Sequence, residues 1–466
     1  MTGTGYYLTP LIAAILAILL LSNSAIAVQT SEITALGDSV IDRSPSISEV
    51  GGMLVAAWLA YDGSGVDIMY SVRNQGAWAA PGKLAESAGY ERDLVTCSSG
   101  NLVYAAWATD SLQYTTGSDW DIVLSVYEAS AGWSSPVELT DLNDSANDYA
   151  PFLLPYQSGV IVLWQSLEGV DGHIMMATYI SSASEPVDVT ETWKEMNQNP
   201  TAALLGDTLW IAWSSNDTAF TDNTDLDIVA APYHLLNHSL GPATQLSDPA
   251  DTEDDLYPCM LALNGNLHIA WQSRDKTIGA GDDEDVGLAV YTDSWTTHAL
   301  TSSHDTGDDT YPLLFSFEDN LWLAWQSSDS AITGDAGWDI IVAPINGTVL
   351  GEAIVVSEGK DIAEHGGTIV RGHDAIQAGE DIVVIWETTS AVLTDGTDSD
   401  IAMATLPQTG QDKIDDGGSS GIGIIPIFAV VVSIVGFAVF LLRKKWRQRR
   451  KESHEGKKER KKHRRK

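Results

Sequence analysis

Basic residues are scarce over most of this chain. Fifteen of its 25 lysines and arginines fall within Arg443–Lys466, leaving ten for everything before that tail. Three of the 64 acids also lie there, so 61 acids face those ten bases, a net charge of about −51. A body so acidic repels nucleic acid and anionic lipid, which excludes both as its partners. The same excess keeps a protein soluble in strong salt. Cysteine is nearly missing too: only Cys97 and Cys259 occur. Two cysteines exclude a disulfide-stapled scaffold, and a chain this long does not need one. Two small buried thiols are therefore expected rather than a bridge. The sequence also lacks an HExxH helix, a glycine-rich phosphate loop and a Ser-His-Asp signature.

Long apolar runs are confined to the two ends. "LIAAILAILLL" at residues 11–21 is too short to span a bilayer comfortably and leads into Ala25–Ala27. That order reads as a secretory signal, residues 1–27, cut after Ala27. No lysine or arginine precedes the run, so an uncleaved anchor is the alternative. At the other end, residues 422–442 are uncharged and long enough to cross the hydrocarbon core as an α-helix. "RKKWRQRRK" follows at once, a stop-transfer signal. The expected protein is single-pass and membrane-anchored at the cell surface. Residues 28–407 form its ectodomain, 408–421 a flexible linker and 443–466 a basic cytoplasmic tail.

What the ectodomain does contain is a repeat. "LWLAWQSSD" at Leu321–Asp329 and "LHIAWQSRD" at Leu267–Asp275 are near twins, and looser copies bring the tryptophans to seven: Trp58, Trp107, Trp164, Trp213, Trp271, Trp325 and Trp386. A proline stands 13 residues before five of them, at Pro45, Pro151, Pro200, Pro258 and Pro312. An aspartate opens a new apolar run 14 residues after five of them, at Asp121, Asp227, Asp285, Asp339 and Asp400. Each unit divides into four short alternating stretches separated by Gly, Asn and Asp turns, which argues for strands. Four strands per unit, repeated, is the pattern of propeller blades. The fourth-strand marker is Leu84, Leu139, Val189, Leu246, Leu300 and Val356 in units one to six. The seventh unit lacks one, and Leu36 in "ITALGD" supplies it. The fold class is therefore all-β: a seven-bladed β-propeller closed by an N-terminal strand in the last blade, with no sheet edge left open. A tryptophan present in every unit serves packing, and alanine before five of the seven suggests a large ring seated against a small neighbour.

The spacing of Ser-Pro, Gly, Ala-Trp, Asp-Ile and Trp-x-x-Pro-x-x-Leu across Ser44–Leu84 resembles extracellular sialidase-like propellers, and later copies resemble TolB-type repeats. The resemblance spans about residues 28–407 and implies the propeller fold. Sialidase-like enzymes carry Ser-x-Asp-x-Gly-x-x-Trp boxes. The nearest match, "SVRNQGAW" at Ser71–Trp78, has Asn74 and Gly76 out of register. They also grip a substrate carboxylate with three arginines. The ectodomain offers Arg43, Arg73, Arg92, Arg274 and Arg371, of which no three hold matching inner positions.

In a propeller, the links from second to third strand and from blade to blade emerge on one face, and here those links are the acidic ones. Asp222, Asn223, Asp225 and Asp227 could wrap a hard cation, as could Asp282, Asp283 and Asp285, and Asp395, Asp398 and Asp400. Calcium suits such irregular oxygen sets. The alternative is solvated loops whose final aspartate caps a strand. Positions that break the repeat are His173, which replaces the strand-opening aspartate, and His373, which replaces a proline near His365 and Asp361. Trp193 and Trp295 lie at blade edges, where they could stack on sugars or pack. Asn143, Asn216, Asn237 and Asn346 begin Asn-x-Ser/Thr and are candidate glycan acceptors. The functional expectation is a non-catalytic surface propeller that binds a cation, glycan or protein on its acidic face. The alternative is a tethered glycoside hydrolase or lyase with paired carboxylates.

Overall fold

Alternating apolar and polar residues between glycine turns do produce strands, and these assemble into seven antiparallel sheets arranged as propeller blades. The computed structural model describes residues 28–407 except 35–38, 116–118, 141–144, 191–194, 219–224, 249–251, 276–282, 302–306, 335–336, 358–371 and 390–397. The expected signal, linker, membrane helix and tail lie outside the described residues. Among those described, no helix is long and apolar enough to cross a membrane. A single helical turn, Ser330–Thr333, is capped by the Asp329 side chain.

Blade 5 illustrates the unit. Its inner strand Leu256–Leu263 pairs with Asn266–Ser273, which pairs with Asp285–Tyr291 and then with the outer strand Trp295–Ala299. Gly265, at a φ of 80°, makes the first turn where a side chain would be strained. The other inner strands are Ile41–Val50, Glu91–Ser99, Asn147–Tyr156, Asn197–Leu205, Asp309–Phe317 and His373–Ala378.

All seven tryptophans are at most 1% exposed. Each lies between two blades, and the residue before it packs on the next tryptophan round the ring. Ala57 clusters with Trp107, Ala106 with Trp164, Ala212 with Trp271, Ala270 with Trp325 and Ala324 with Trp386. Where alanine is absent, Leu163 meets Trp213 and Ile385 meets Trp58. The expected ring-on-small-neighbour packing is real, and the neighbour belongs to the preceding blade.

Two polar devices recur inside the blades. The indole N–H donates to the residue 16 positions earlier on the inner strand: Trp58 to Asp42 (2.8 Å), Trp213 to Asn197 (2.9 Å), Trp271 to Asp255 (3.1 Å) and Trp325 to Asp309 (2.8 Å). Glu91 and Asp148 hold that position in blades 2 and 3. Burial pushes the carboxyls of Glu91 and Asp309 up to about 7. The second device joins third and outer strands. Thr140, Ser247, Thr301 and Ser357 donate to Asp121, Asp227, Asp285 and Asp339 at 2.7–2.9 Å. In three of these blades the same hydroxyl accepts the N–H of Ile228, Val286 or Ile340, the residue after the aspartate.

Closure uses the same latch. Gln29–Glu32 lies antiparallel to Asp400–Pro407, Ile33 N–H donates to Ile401 O (2.9 Å), and Thr34 donates to Asp400 (2.8 Å). The N-terminal strand thus completes blade 7 as expected, but Ile33 fills the marker position assigned above to Leu36. The physical criterion is the hydroxyl that follows: Leu139-Thr140, Val189-Thr190, Leu246-Ser247, Leu300-Thr301, Val356-Ser357 and Ile33-Thr34 share it, whereas Gly37 follows Leu36. The two cysteines are free, and the Cys259 thiol accepts the Leu314 N–H at 3.3 Å.

Candidate functional site

Six inner strands begin with the same distortion. The register slips between Arg43 and Ser46, Arg92 and Val95, Tyr149 and Phe152, Gln198 and Thr201, Leu256 and Cys259, and Thr310 and Leu313. At each bulge one non-glycine residue adopts a left-handed backbone: Ser44, Asp93, Ala150, Asn199, Tyr257 and Tyr311, with φ between 49° and 56°. Five of them precede the repeated prolines, so the proline periodicity marks bulges. Left-handed backbone in a non-glycine residue costs of the order of 1 kcal/mol or more and persists only where its surroundings hold it.

The holding groups come from neighbouring blades. Gln165 and Gln272, each following a blade tryptophan, accept the N–H of Asn199 (3.1 Å) and Tyr311 (3.2 Å). This accounts for the Trp-Gln of the repeat. Gln326 reaches Gly372 in blade 7, where a Cβ would come within 2.8 Å of its amide nitrogen. Asp93 Oδ2 accepts the Ala150 N–H (3.1 Å).

The bulges surround one end of the central channel and line a cavity of about 250 Å³. Its walls include Asp93, Asn199, Tyr257, Tyr311, His373 and Asp374. The inner strands start where third strands start: Asp255 N–H bonds to Leu226 O, and Asp309 N–H to Glu284 O. The cavity therefore opens on the face carrying the acidic links.

Within it the polar groups are unequal. Asp374 Oδ2 accepts from Ser46 Oγ and the Ile47 N–H, both at 2.9 Å, and its Oδ1 accepts the Ala375 N–H. Asp93 is 6% exposed; Arg92 Nε donates to its Oδ2 at 3.1 Å, while its Oδ1 has no hydrogen-bond partner among the described residues. Asn199, 9% exposed, likewise leaves Oδ1 without a partner there. Burial raises the Asp93 carboxyl, against the pull of Arg92. The Arg92 guanidinium lies over Tyr149 at 4.6 Å and Trp120 at 5.6 Å. Tyr257 and Tyr311 pack with ring centroids 4.8 Å apart and planes tilted by 36°, and burial raises both phenols.

The residues nominated from sequence for calcium are placed differently. Asp227, Asp285 and Asp400 are the buried blade latches. Asp225, Asp283 and Asp398 lie two residues before them, and Asp222, Asn223, Asp282 and Asp395 lie outside the described residues. Among the described residues no three His, Cys, Asp or Glu side chains gather where a metal ion could be held. His173 Nδ1 meets Asp188 at 3.0 Å, so in blade 3 the latch carboxylate has moved to the outer strand, with Thr190 still holding the Ile174 N–H. His373 is buried in the channel wall; His365 and Asp361 lie outside the described residues. Trp295 packs on Trp210 and Tyr291, and Trp193 lies outside the described residues.

Of the glycan acceptors, Asn237 and Asn346 are exposed, Asn216 Oδ1 accepts the Met196 N–H at 2.9 Å, and Asn143 lies outside the described residues. Sequence reading missed Asp93, Asn199, Tyr257 and Tyr311 as a set. The position before a repeated proline was the signal for Asn199, Tyr257 and Tyr311, and Asp93, followed by Leu94, lies at the same distance before its blade tryptophan.

No protein-family model matches the chain. No curated protein matches it either. Solved structures do. Trypanosoma rangeli sialidase in complex with sialic acid aligns at 11% identity and a TM-score of 0.45, over 82% of this chain and 59% of that one. The chain thus spans less than two thirds of that sialidase's length. Phage phi92 endosialidase aligns at 10% and 0.45, over 86% and 72%. The polysaccharide lyase Uly1 aligns at 8% and 0.50, over 80% and 92%. The likeness is one of fold. It agrees with the sialidase-like propeller resemblance and brings no activity with it.

Proposed function

We propose that the protein is a non-catalytic binding propeller that seats a saccharide unit at the acidic mouth of its central channel. The carrying observation is that Asp93, Asn199, Tyr257 and Tyr311, held on left-handed bulges of four different blades, line one cavity. Polar and aromatic side chains converging on one concave site suit the hydroxyls and ring faces of a saccharide. Tyr257 and Tyr311, with planes tilted by 36°, add aromatic surface to the same cavity.

The paired-carboxylate reading is less well supported. Both Asp374 oxygens are committed to hydrogen bonds, and Asp93 is 6% exposed and held by Arg92 and the Ala150 N–H, so neither lining carboxylate stands open to a substrate. The remainder of the proposal follows from sequence: residues 422–442 anchor the propeller to the cell membrane, with the basic tail inside. Calcium, if bound, belongs to the acidic links around the mouth rather than to the latch aspartates.

The test is retention of the full-length chain on a panel of immobilised neutral, amino and acidic oligosaccharides. Binding to at least one sugar is expected, weakened about tenfold or more in Asn199→Leu, a loss of roughly 1.4 kcal/mol. No retention on any of them would overturn the reading.

A further inference from the structure

Three of the four Asn-x-Ser/Thr sequences fall on described residues, and the fold treats them in two ways. We infer that Asn237 and Asn346 carry N-linked oligosaccharides on the face opposite the channel mouth, while Asn216 stays bare. This requires the propeller to lie outside the cell, as proposed above.

Asn216 is explained by the fold. It stands three residues after Trp213, half-buried at the mouth end of the second strand. Its N–H donates to Met196 O at 3.2 Å, and its Oδ1 accepts the Met196 N–H at 2.9 Å. Asp110, three residues after Trp107, makes the same two-way clasp with Tyr90, at 3.3 and 2.6 Å. A side-chain oxygen at this position ties the end of the second strand to the start of the inner one.

Asn237 and Asn346 are placed differently. Both are exposed, and both lie where the third strand turns into the outer one. Their two blades have third strands of one pattern, "DIVAAPYH" at Asp227–His234 and "DIIVAPIN" at Asp339–Asn346. Beyond each turn a glycine N–H donates to the proline oxygen at 2.7 Å, Gly241 to Pro232 and Gly351 to Pro344. The two asparagines thus occupy equivalent sites. Turn geometry does not ask for asparagine at either, since the left-handed residues are His238 (φ 50°) and Gly347 (φ 69°).

Position and chemistry suit an attached sugar. Third strands start at the mouth face, so their eight residues carry these turns roughly 25 Å away from it. An oligosaccharide there leaves the mouth open. Ser239 Oγ already lies beside the Asn237 amide, donating to its Oδ1 at 2.9 Å. Leu236, 101% exposed, precedes Asn237, and Val349, 66% exposed, pairs directly with Asn346 across the turn. The C–H faces of a sugar joined to either asparagine can cover these side chains. The donor class is a lipid-phosphate-linked oligosaccharide. The amide nitrogen bonds to C1 of the first sugar, the C1–O bond to phosphate breaks with its electron pair leaving on the phosphate, and the amide gives up one proton.

Mass spectrometry of the full-length chain, purified from the membranes of its native cells and cleaved before aspartate, decides the matter. Asp217 and Asp227 part the peptides carrying Asn216 and Asn237, so each site is read separately. Sugar-mass additions are expected on the peptides carrying Asn237 and Asn346 and none on that carrying Asn216. Ser239→Ala and Thr348→Ala should each strip the addition from its own site, whereas Thr348→Ser should keep it. Protease treatment of intact cells, run in parallel, reports whether the propeller lies outside. Bare Asn237 and Asn346 on an exterior propeller overturn the inference and leave the surface reading standing. A propeller shielded from the protease overturns the surface reading and the inference with it. Modification of Asn216 to the same extent as the other two overturns the division between them. Additions that survive both alanine variants belong to other residues of those peptides and overturn the inference as well.

Discussion

The blade interiors and the channel mouth are built on the same seven-fold backbone, yet they treat sequence in opposite ways. Inside the blades, position after position repeats its chemistry: tryptophan, the acid or amide 16 residues before it, and the aspartate–hydroxyl latch. At the mouth, six blades repeat the backbone conformation while the residue changes from Ser44 to Asp93, Ala150, Asn199, Tyr257 and Tyr311. Interior positions face identical surroundings in every blade, so the same residue solves each one. The bulge positions converge on one cavity from different sides, and nothing in the packing requires them to match. Fixed geometry with free identity is what a binding site needs.

The largest test of this contrast is Trp271→Ala. Emptying a fully buried indole should cost about 3–5 kcal/mol and also remove its hydrogen bond to Asp255. Trp325→Ala should cost a similar amount, measured by denaturant unfolding of the full-length chain. A cost below about 1 kcal/mol in either would mean that the interior is not the uniform core described.

Next comes the buried carboxyl of Asp309, raised to about 7 in the folded protein from an ordinary value near 4. The folded state holds this proton more tightly than the unfolded chain does. Stability from this group is therefore present at low pH and lost as pH rises from about 4 to about 7. Asp309→Asn should remove that dependence and stabilise the protein at pH 8 by an amount of the order of 2–4 kcal/mol. Asn197 already performs the same task beneath Trp213. Melting curves across pH for the parent and the variant check it. An unchanged pH slope would show that Asp309 is ionised in the fold.

Ring closure offers a smaller effect. Thr34→Val removes the hydroxyl that joins Asp400 and the Ile401 N–H while keeping shape, and should cost about 1–2 kcal/mol. Protease sensitivity of the first described strand should rise with it. Smallest for stability is Asn199→Gly, where the left-handed backbone suits glycine; the change should stay within about 0.5 kcal/mol. Its effect on ligand binding should nevertheless be large. If stability and binding fell together, the mouth would be as structural as the core.

The fold was largely legible from the sequence because each blade solves one packing problem, and seven solutions to one problem leave a periodic trace. Tryptophan spacing marked the second strands, the Asp-Ile pairs opened the third, and the missing fourth marker foretold closure by the N-terminal strand. The single slip, Leu36 for Ile33, came from matching letters where the hydroxyl of Thr34 is what the latch uses. The site was less legible, for the same reason in reverse. Asp93, Asn199, Tyr257 and Tyr311 lie at one repeated position in four different blades, but they span three residue types, so no shared chemistry marks them.

Sequence by itself determined the seven-fold ring, its closure and the sign of its charged face, since local periodicity and composition are enough for those. Only the tertiary structure decided which of the many acids are latches and which line the channel mouth. That depends on which side chains from distant blades meet at the channel.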